Sequence, residues 1–137
     1  MIDEIRDFIK ACPLLSGNSI NVNYLGDEKK TYSIENTPAN PVIKEYADGG
    51  KLCQQLFVFA SRELYCDAPE ENAKVTRFYE AFSDWIQEQD KKRNFPVLEG
   101  KCTAQSIEVL TEQYVYDVGN SDARYQIQCR LVYYKDF

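Results

Sequence analysis

The sequence predicts an α+β fold: a mixed, mainly antiparallel sheet with a short N-terminal helix and one longer amphipathic helix packed on one face. Two observations predict it. Val75, Phe78, Tyr79, Phe82, Trp85 and Ile86 recur at helical spacing and fall within an arc of about 120° on a wheel of about 3.6 residues per turn. On both sides of that stretch the apolar pattern switches to a period of two, over residues 51–65 and again over 123–134. The 137 residues suit one core and one domain, taken as residues 1–137. A hydrophobic fraction of 44% with 13% aromatic residues is that of a folded chain.

Ile2, Ile5, Phe8, Ile9 and Cys12 recur at helical spacing, and Pro13 lacks the N–H for another turn, which gives a short helix with one apolar face. Ser16, Gly17 and Asn18 break the pattern. Ile20, Val22 and Tyr24 then alternate with polar residues, Gly26 and Asp27 turn the chain, and Thr31 to Ile34 resumes the alternation, so a β-hairpin is expected. Residues 36–50 hold Pro38, Pro41, Gly49 and Gly50, which predicts a loop with at most a short edge strand through Val42 to Tyr46. Lys51 to Tyr65 is the longest strand, with Leu52, Leu56, Val58 and Ala60 on one face and Cys53, Phe57 and Phe59 on the other. Apolar residues on both faces make it central.

The long helix begins with Asp67 as N-cap, Glu70 as the other half of a capping box, and Ala68-Pro69 in its first turn. Glu71, Lys74, Glu80, Ser83, Asp84, Gln87 and Glu88 make its outer face polar, and Asn94 and Pro96 end it. Strands follow at Lys101 to Leu110, Gln113 to Val118 and Ala123 to Tyr134, the last two joined as a hairpin by Gly119-Asn120-Ser121-Asp122. In the final strand Tyr125, Ile127, Cys129, Leu131 and Tyr133 face one way, and Arg124, Gln126, Gln128, Arg130, Val132 and Tyr134 the other.

A net charge of −6 argues against nucleic-acid binding, whose affinity rests on Lys and Arg releasing counterions from phosphates. Lys29-Lys30 and Lys91-Lys92-Arg93 read instead as a hairpin turn and a helix C-terminus, where cations complement exposed carbonyls. No apolar run approaches the roughly 18 to 20 residues that cross a bilayer, and Met1-Ile2-Asp3-Glu4 lacks the basic and apolar regions of a signal peptide. A cytoplasmic chain with no membrane partner is therefore expected. Cys12, Cys53, Cys66, Cys102 and Cys129 have wide, unrelated spacings without a zinc or redox motif, and read as reduced, mostly buried thiols.

The chain contains no histidine, which removes the commonest general base, the usual triad and the usual zinc ligand. Carboxylate pairs such as Glu63 with Asp67 and Glu108 with Glu112 read as solvated strand ends in a chain with 22 acidic residues. Cys66 alone sits near a helix start that could lower its pKa. Neither glycine-rich phosphate motif is present. No catalytic, cofactor-binding or metal-ligating residue is assigned on these grounds, no cofactor is expected, and the expected function is protein binding without catalysis. Tyr114, Tyr116, Tyr125, Tyr133 and Tyr134 crowd the last hairpin, where they pack across strands or form a subunit interface.

Leu56-Phe57-Val58-Phe59, Phe82-Ser83-Asp84-Trp85-Ile86 and the closing run from Tyr125 to Tyr134, together with the order of elements, resemble the small prophage-encoded tail-terminator or tail-completion (minor tail) proteins of long-tailed bacteriophages. The resemblance implies a non-enzymatic subunit that assembles with itself into a ring, a hexamer in that family. Such a ring caps the tail tube, ends its polymerisation and presents a face to the head-completion protein. It also implies assembly in the host bacterial cytoplasm and a place at the head-proximal end of the virion tail. An exposed sheet edge that pairs with a neighbouring subunit would close such a ring. The expected interface residues are Arg124, Arg130 and Tyr134 on the last strand, with Lys44 and Tyr46 of the 36–50 segment as a second contact. Another head–tail connector subunit and a small acidic protein-binding regulatory module are the alternatives.

Overall fold

The computed structural model describes residues 1–15, 20–23, 25, 31–64, 69–119 and 122–136. In chain order these form α1 (Ile2–Ile9), a single 3₁₀ turn (Pro13–Leu15), β1 (Ile20–Val22), β2 (Tyr32–Thr37), β3 (Val42–Glu45), β4 (Lys51–Leu64), α2 (Pro69–Lys92), β5 (Cys102–Val109), β6 (Tyr114–Val118) and β7 (Asp122–Lys135). The α+β architecture is as the sequence predicts. Pro13 follows α1, and the backbone tightens into three-residue hydrogen bonds at Ala11 and Cys12 before it, so the helix stops at Ile9 rather than continuing to Cys12.

The seven strands among the described residues make one sheet built around two long ones. β4 and β7 pair antiparallel along their whole lengths, Lys51 opposite Lys135 and Leu64 opposite Asp122. Each lends its outer edge to two shorter strands. β3 and β2 share β4, the first near Leu52 and the second from Leu56 to Ser61, and β5 and β6 share β7. The central position of β4 follows from its composition, since Phe57 and Phe59 are buried on one face while Val58 and Ala60 are buried on the other. The final hairpin is present, β6 and β7 pairing antiparallel with Val118 opposite Ala123.

The hairpin expected over residues 20–34 is corrected: β1 and β2 run parallel, with Ile20 opposite Tyr32 and Val22 opposite Ile34. Alternation carries no direction, so two parallel strands and a hairpin write the same pattern. Asn23 leaves β1 in the left-handed region (φ 55°), donates its N–H to the Ile34 carbonyl at 2.9 Å, and accepts the Asn36 N–H on its side chain at 2.9 Å. The Gly26-Asp27 turn and Lys29-Lys30 lie outside the described residues. The loop expected over residues 36–50 is shortened at its start, because β2 runs on through Asn36 and Thr37, held by Phe57 and Leu56 of β4; the short edge strand within it is β3.

Both helices pack on one face of the sheet. Val75, Tyr79, Phe82 and Ile86 of α2 are buried, with Phe78 and Trp85 packed against the same core. Phe82 stacks on Phe59 of β4, centroids 4.4 Å apart, and Phe8 of α1 meets Trp85 at 5.3 Å. The Tyr79 hydroxyl, inside this core, is 2.7 Å from the Ser61 hydroxyl and donates to the Tyr125 carbonyl at 3.1 Å, so its burial leaves no polar atom unmatched. Burial pushes its pKa up. At its far end α2 stops where Arg93 turns left-handed (φ 57°), with Lys91 and Lys92 in the last turn. The expected cap at Asp67 lies outside the described residues.

Candidate protein-binding surface

With both helices on one side, the other side of the sheet carries the even-numbered residues of β4 and β7 and their neighbours. Register decides what meets there. Arg62 stands opposite Arg124 in the β4–β7 ladder, and the two like charges are separated by giving each its own carboxylate. Arg62 lies 3.3 Å from Asp122, and Arg124 reaches Glu35 of β2 at 2.9 Å. Further along β7, Arg130 donates from Nε to Glu108 of β5 at 2.6 Å and from Nη1 to the Gln54 side chain at 3.3 Å. Its second guanidinium nitrogen, Nη2, also meets Glu108. Thus the three arginines of this face are each matched by an acid from another strand, Arg124 reaching across β4 to do so.

Tyrosine and glutamine fill the space between the pairs. The Tyr114 hydroxyl accepts hydrogen bonds from Gln126 at 2.6 Å and Gln128 at 3.0 Å. Arg124 donates to Gln126 at 3.0 Å and lies over the Tyr116 ring at 5.0 Å, a cation–π contact. Burial on its own would raise the Glu35 carboxyl. The hydrogen bonds from Arg124 and Ser33 and the Arg124 charge outweigh it, and hold the group below the usual carboxylate range.

Of the five residues singled out in the sequence, Arg124, Arg130 and Tyr134 share this face, spread along one strand rather than gathered at a point. Tyr134 instead joins Lys44 and Tyr46 at one end. The Tyr46 and Tyr134 rings are 5.9 Å apart, and the Lys44 ammonium lies 5.2 Å from the Tyr46 centroid. Gly50 makes this possible, because a β-carbon there would overlap the Tyr134 hydroxyl. The sequence reading missed Glu35, Glu108 and Gln54 as members of the surface. Their only signal is alternation within their own strands, and it names a face without naming a partner. The tyrosines divide by face: Tyr125 is core, while Tyr114, Tyr116 and Tyr134 lie on the open side.

The candidate reactive groups take structural positions. Glu108 is held by Arg130, Glu112 is exposed, and Glu63 is buried at the end of β4. Asp67 and Cys66 lie outside the described residues. Cys12, Cys53 and Cys129 are buried free thiols and Cys102 is half-buried. A cleft of about 260 Å³ between α2 and the β5–β6 turn is lined by Tyr79, Ser83, Asp84 and Glu112, and one of about 640 Å³ along α2 and β5 by Asp84, Glu88, Asp90 and Glu108. In the second, Asp90 accepts the Ile107 N–H at 3.0 Å, Glu108 faces Arg130 and Glu88 takes the Lys92 ammonium at 2.6 Å, so three of its acids are engaged. Among the described residues no cluster of three His, Cys, Asp or Glu could hold a metal ion, and no helix is long and apolar enough to cross a membrane. No protein-family model matches the chain, and no curated protein matches it.

Proposed function

We propose that this chain is a non-enzymatic assembly subunit that binds other protein chains, and that it acts as a tail terminator: a ring of copies that caps a phage tail tube, ends its polymerisation and offers a surface to the head-completion protein. What supports protein binding is the helix-free sheet face. Its arginines are neutralised by acids and its glutamine amides are bonded to Tyr114 and Asn40, so it presents tyrosine rings rather than a convergent reactive group. Neutralised charge lowers the cost of covering such a face, and tyrosine gives large contact area with a hydroxyl still able to bond. The tail-terminator role is supported by the resemblance of the Leu56–Phe59, Phe82–Ile86 and Tyr125–Tyr134 segments and of the element order.

The test is mass in solution by light scattering over a range of concentration and salt, with negative-stain imaging, alone and after mixing with purified tail tubes. Closed rings, or chain bound at the ends of tubes that then stop growing, are the expected outcome. A monomer that leaves tube growth unchanged removes the reading.

A further inference from the structure

We infer, building on the ring-forming reading, that copies of this chain associate head to tail, the outer edge of β6 in one copy adding as a strand to the outer edge of β3 in the next. Among the described residues β1, β3, β5 and β6 border the sheet, and they differ in how open they are. β5 is engaged by α2, whose Asp90 side chain takes the Ile107 N–H at 3.0 Å. β1 is three residues long and packs beside α1. β3 and β6 remain; the Val42 N–H of β3 is held at 3.1 Å by Asn40 of its own loop, but no helix among the described residues covers either strand, and both expose apolar side chains: Ile43 (45%) on one, and Val115 (43%), Tyr116 (65%) and Val118 (54%) on the other. An apolar edge with unpaired backbone groups is a template for a strand from another chain.

Charge selects which edge meets which. Lys44 on β3 and Asp117 on β6 form no ion pair among the described residues, whereas Glu45 of the same edge is matched by Lys51 and the arginines of the open face by acids. A β6-to-β3 junction brings these opposite charges together. A two-fold β6-to-β6 junction would bring two Asp117 carboxylates near each other and leave both β3 edges unused.

The placement of the edges suits a closed assembly. Lys44 is opposite Leu52 of β4, while Val115 is opposite Tyr125, which faces Ser61 of β4, nine positions further along. The two edges therefore lie at diagonal corners of the sheet, offset by roughly 30 Å at about 3.3 Å per residue. Each head-to-tail step carries the next copy along the strand direction. A ring absorbs such a stagger by tilting its strands against the ring axis, as a barrel does.

The experiment mixes I43C and V118C chains of distinguishable mass under mild oxidation, alone and on tail tubes, with wild type as the background for native thiols. It is paired with the charge reversals K44E and D117K. A disulfide between the I43C and V118C chains is expected, because an antiparallel register with Lys44 opposite Asp117 sets Ile43 opposite Val118, together with a roughly tenfold or greater loss of association in each reversal and recovery in the double variant. Unchanged thermal unfolding of the variants shows that the fold is intact. A V118C-to-V118C cross-link overturns the head-to-tail pairing, as do rings that form equally well with either reversal. The second result leaves the ring-forming reading in place, whereas a two-fold pair closes at two copies and counts against it as well. A chain that neither associates nor cross-links, alone or on tubes, overturns both.

Discussion

Phe82 and Glu35 illustrate the two kinds of side chain that hold this domain, one on each face of the sheet. Phe82 is fully buried against Phe59. F82A is expected to cost about 3–5 kcal/mol, since it removes a ring from a packed core and leaves a cavity; urea denaturation measures it. Glu35 contributes through its charge. Its carboxyl ionises more readily in the folded chain than in the unfolded one, whose value is about 4.3. The sign follows from linkage: the stabilisation is present above the unfolded value and disappears as pH falls through the lower folded value. The stability difference between wild type and E35Q should therefore be largest near neutrality and shrink below pH ~4, read by denaturation at several pH values. An equal difference at every pH would remove the ionic role. This pair was not legible in the sequence, because 89 residues separate Glu35 from Arg124 and only strand register brings them together.

The elements differ in how plainly the sequence announces them. α2, β4 and the β6–β7 hairpin each carry a long, unbroken period, and their bounds fall close to the expected ones. The pairing of β1 with β2 was not legible. A turn-forming Gly26-Asp27 between two alternating runs suggests a hairpin, while the parallel arrangement depends on Asn23 turning out of the sheet and on β2 already being held antiparallel by β4. The bond from Asp90 to β5 belongs to this scale, since one helix side chain there completes a strand edge. D90A should leave the Ile107 amide without that acceptor, destabilise the domain by about 1–2 kcal/mol and speed exchange of that amide. Hydrogen exchange at Ile107 that matches wild type would show the edge is held by other means.

At the scale of the whole molecule, the open face was legible in part: alternation placed Arg124, Arg130 and Tyr134 on one side of β7, and the structure joins Tyr134 to Lys44 and Tyr46. What alternation could not supply was the neutralisation of that face, in which Arg124 and Arg130 of β7 take acids from β2 and β5, and Asp122 of β7 serves Arg62 of β4. The association behaviour expected of the molecule is tested by light scattering, tube capping and the edge variants described above. The β4–β7 ladder has a further consequence, in time rather than in space. Because Lys51 pairs with Lys135 and Leu64 with Asp122, β4 must wait through the synthesis of α2, β5 and β6 before its longest partner, β7, exists. Throughout that interval β4 has β2 and β3 on one edge only, and its longest pairing, on the other edge, is distant in sequence. Folding should be slow for a chain of this size, and the nascent chain most exposed to aggregation between the emergence of Phe59 and that of Ile127.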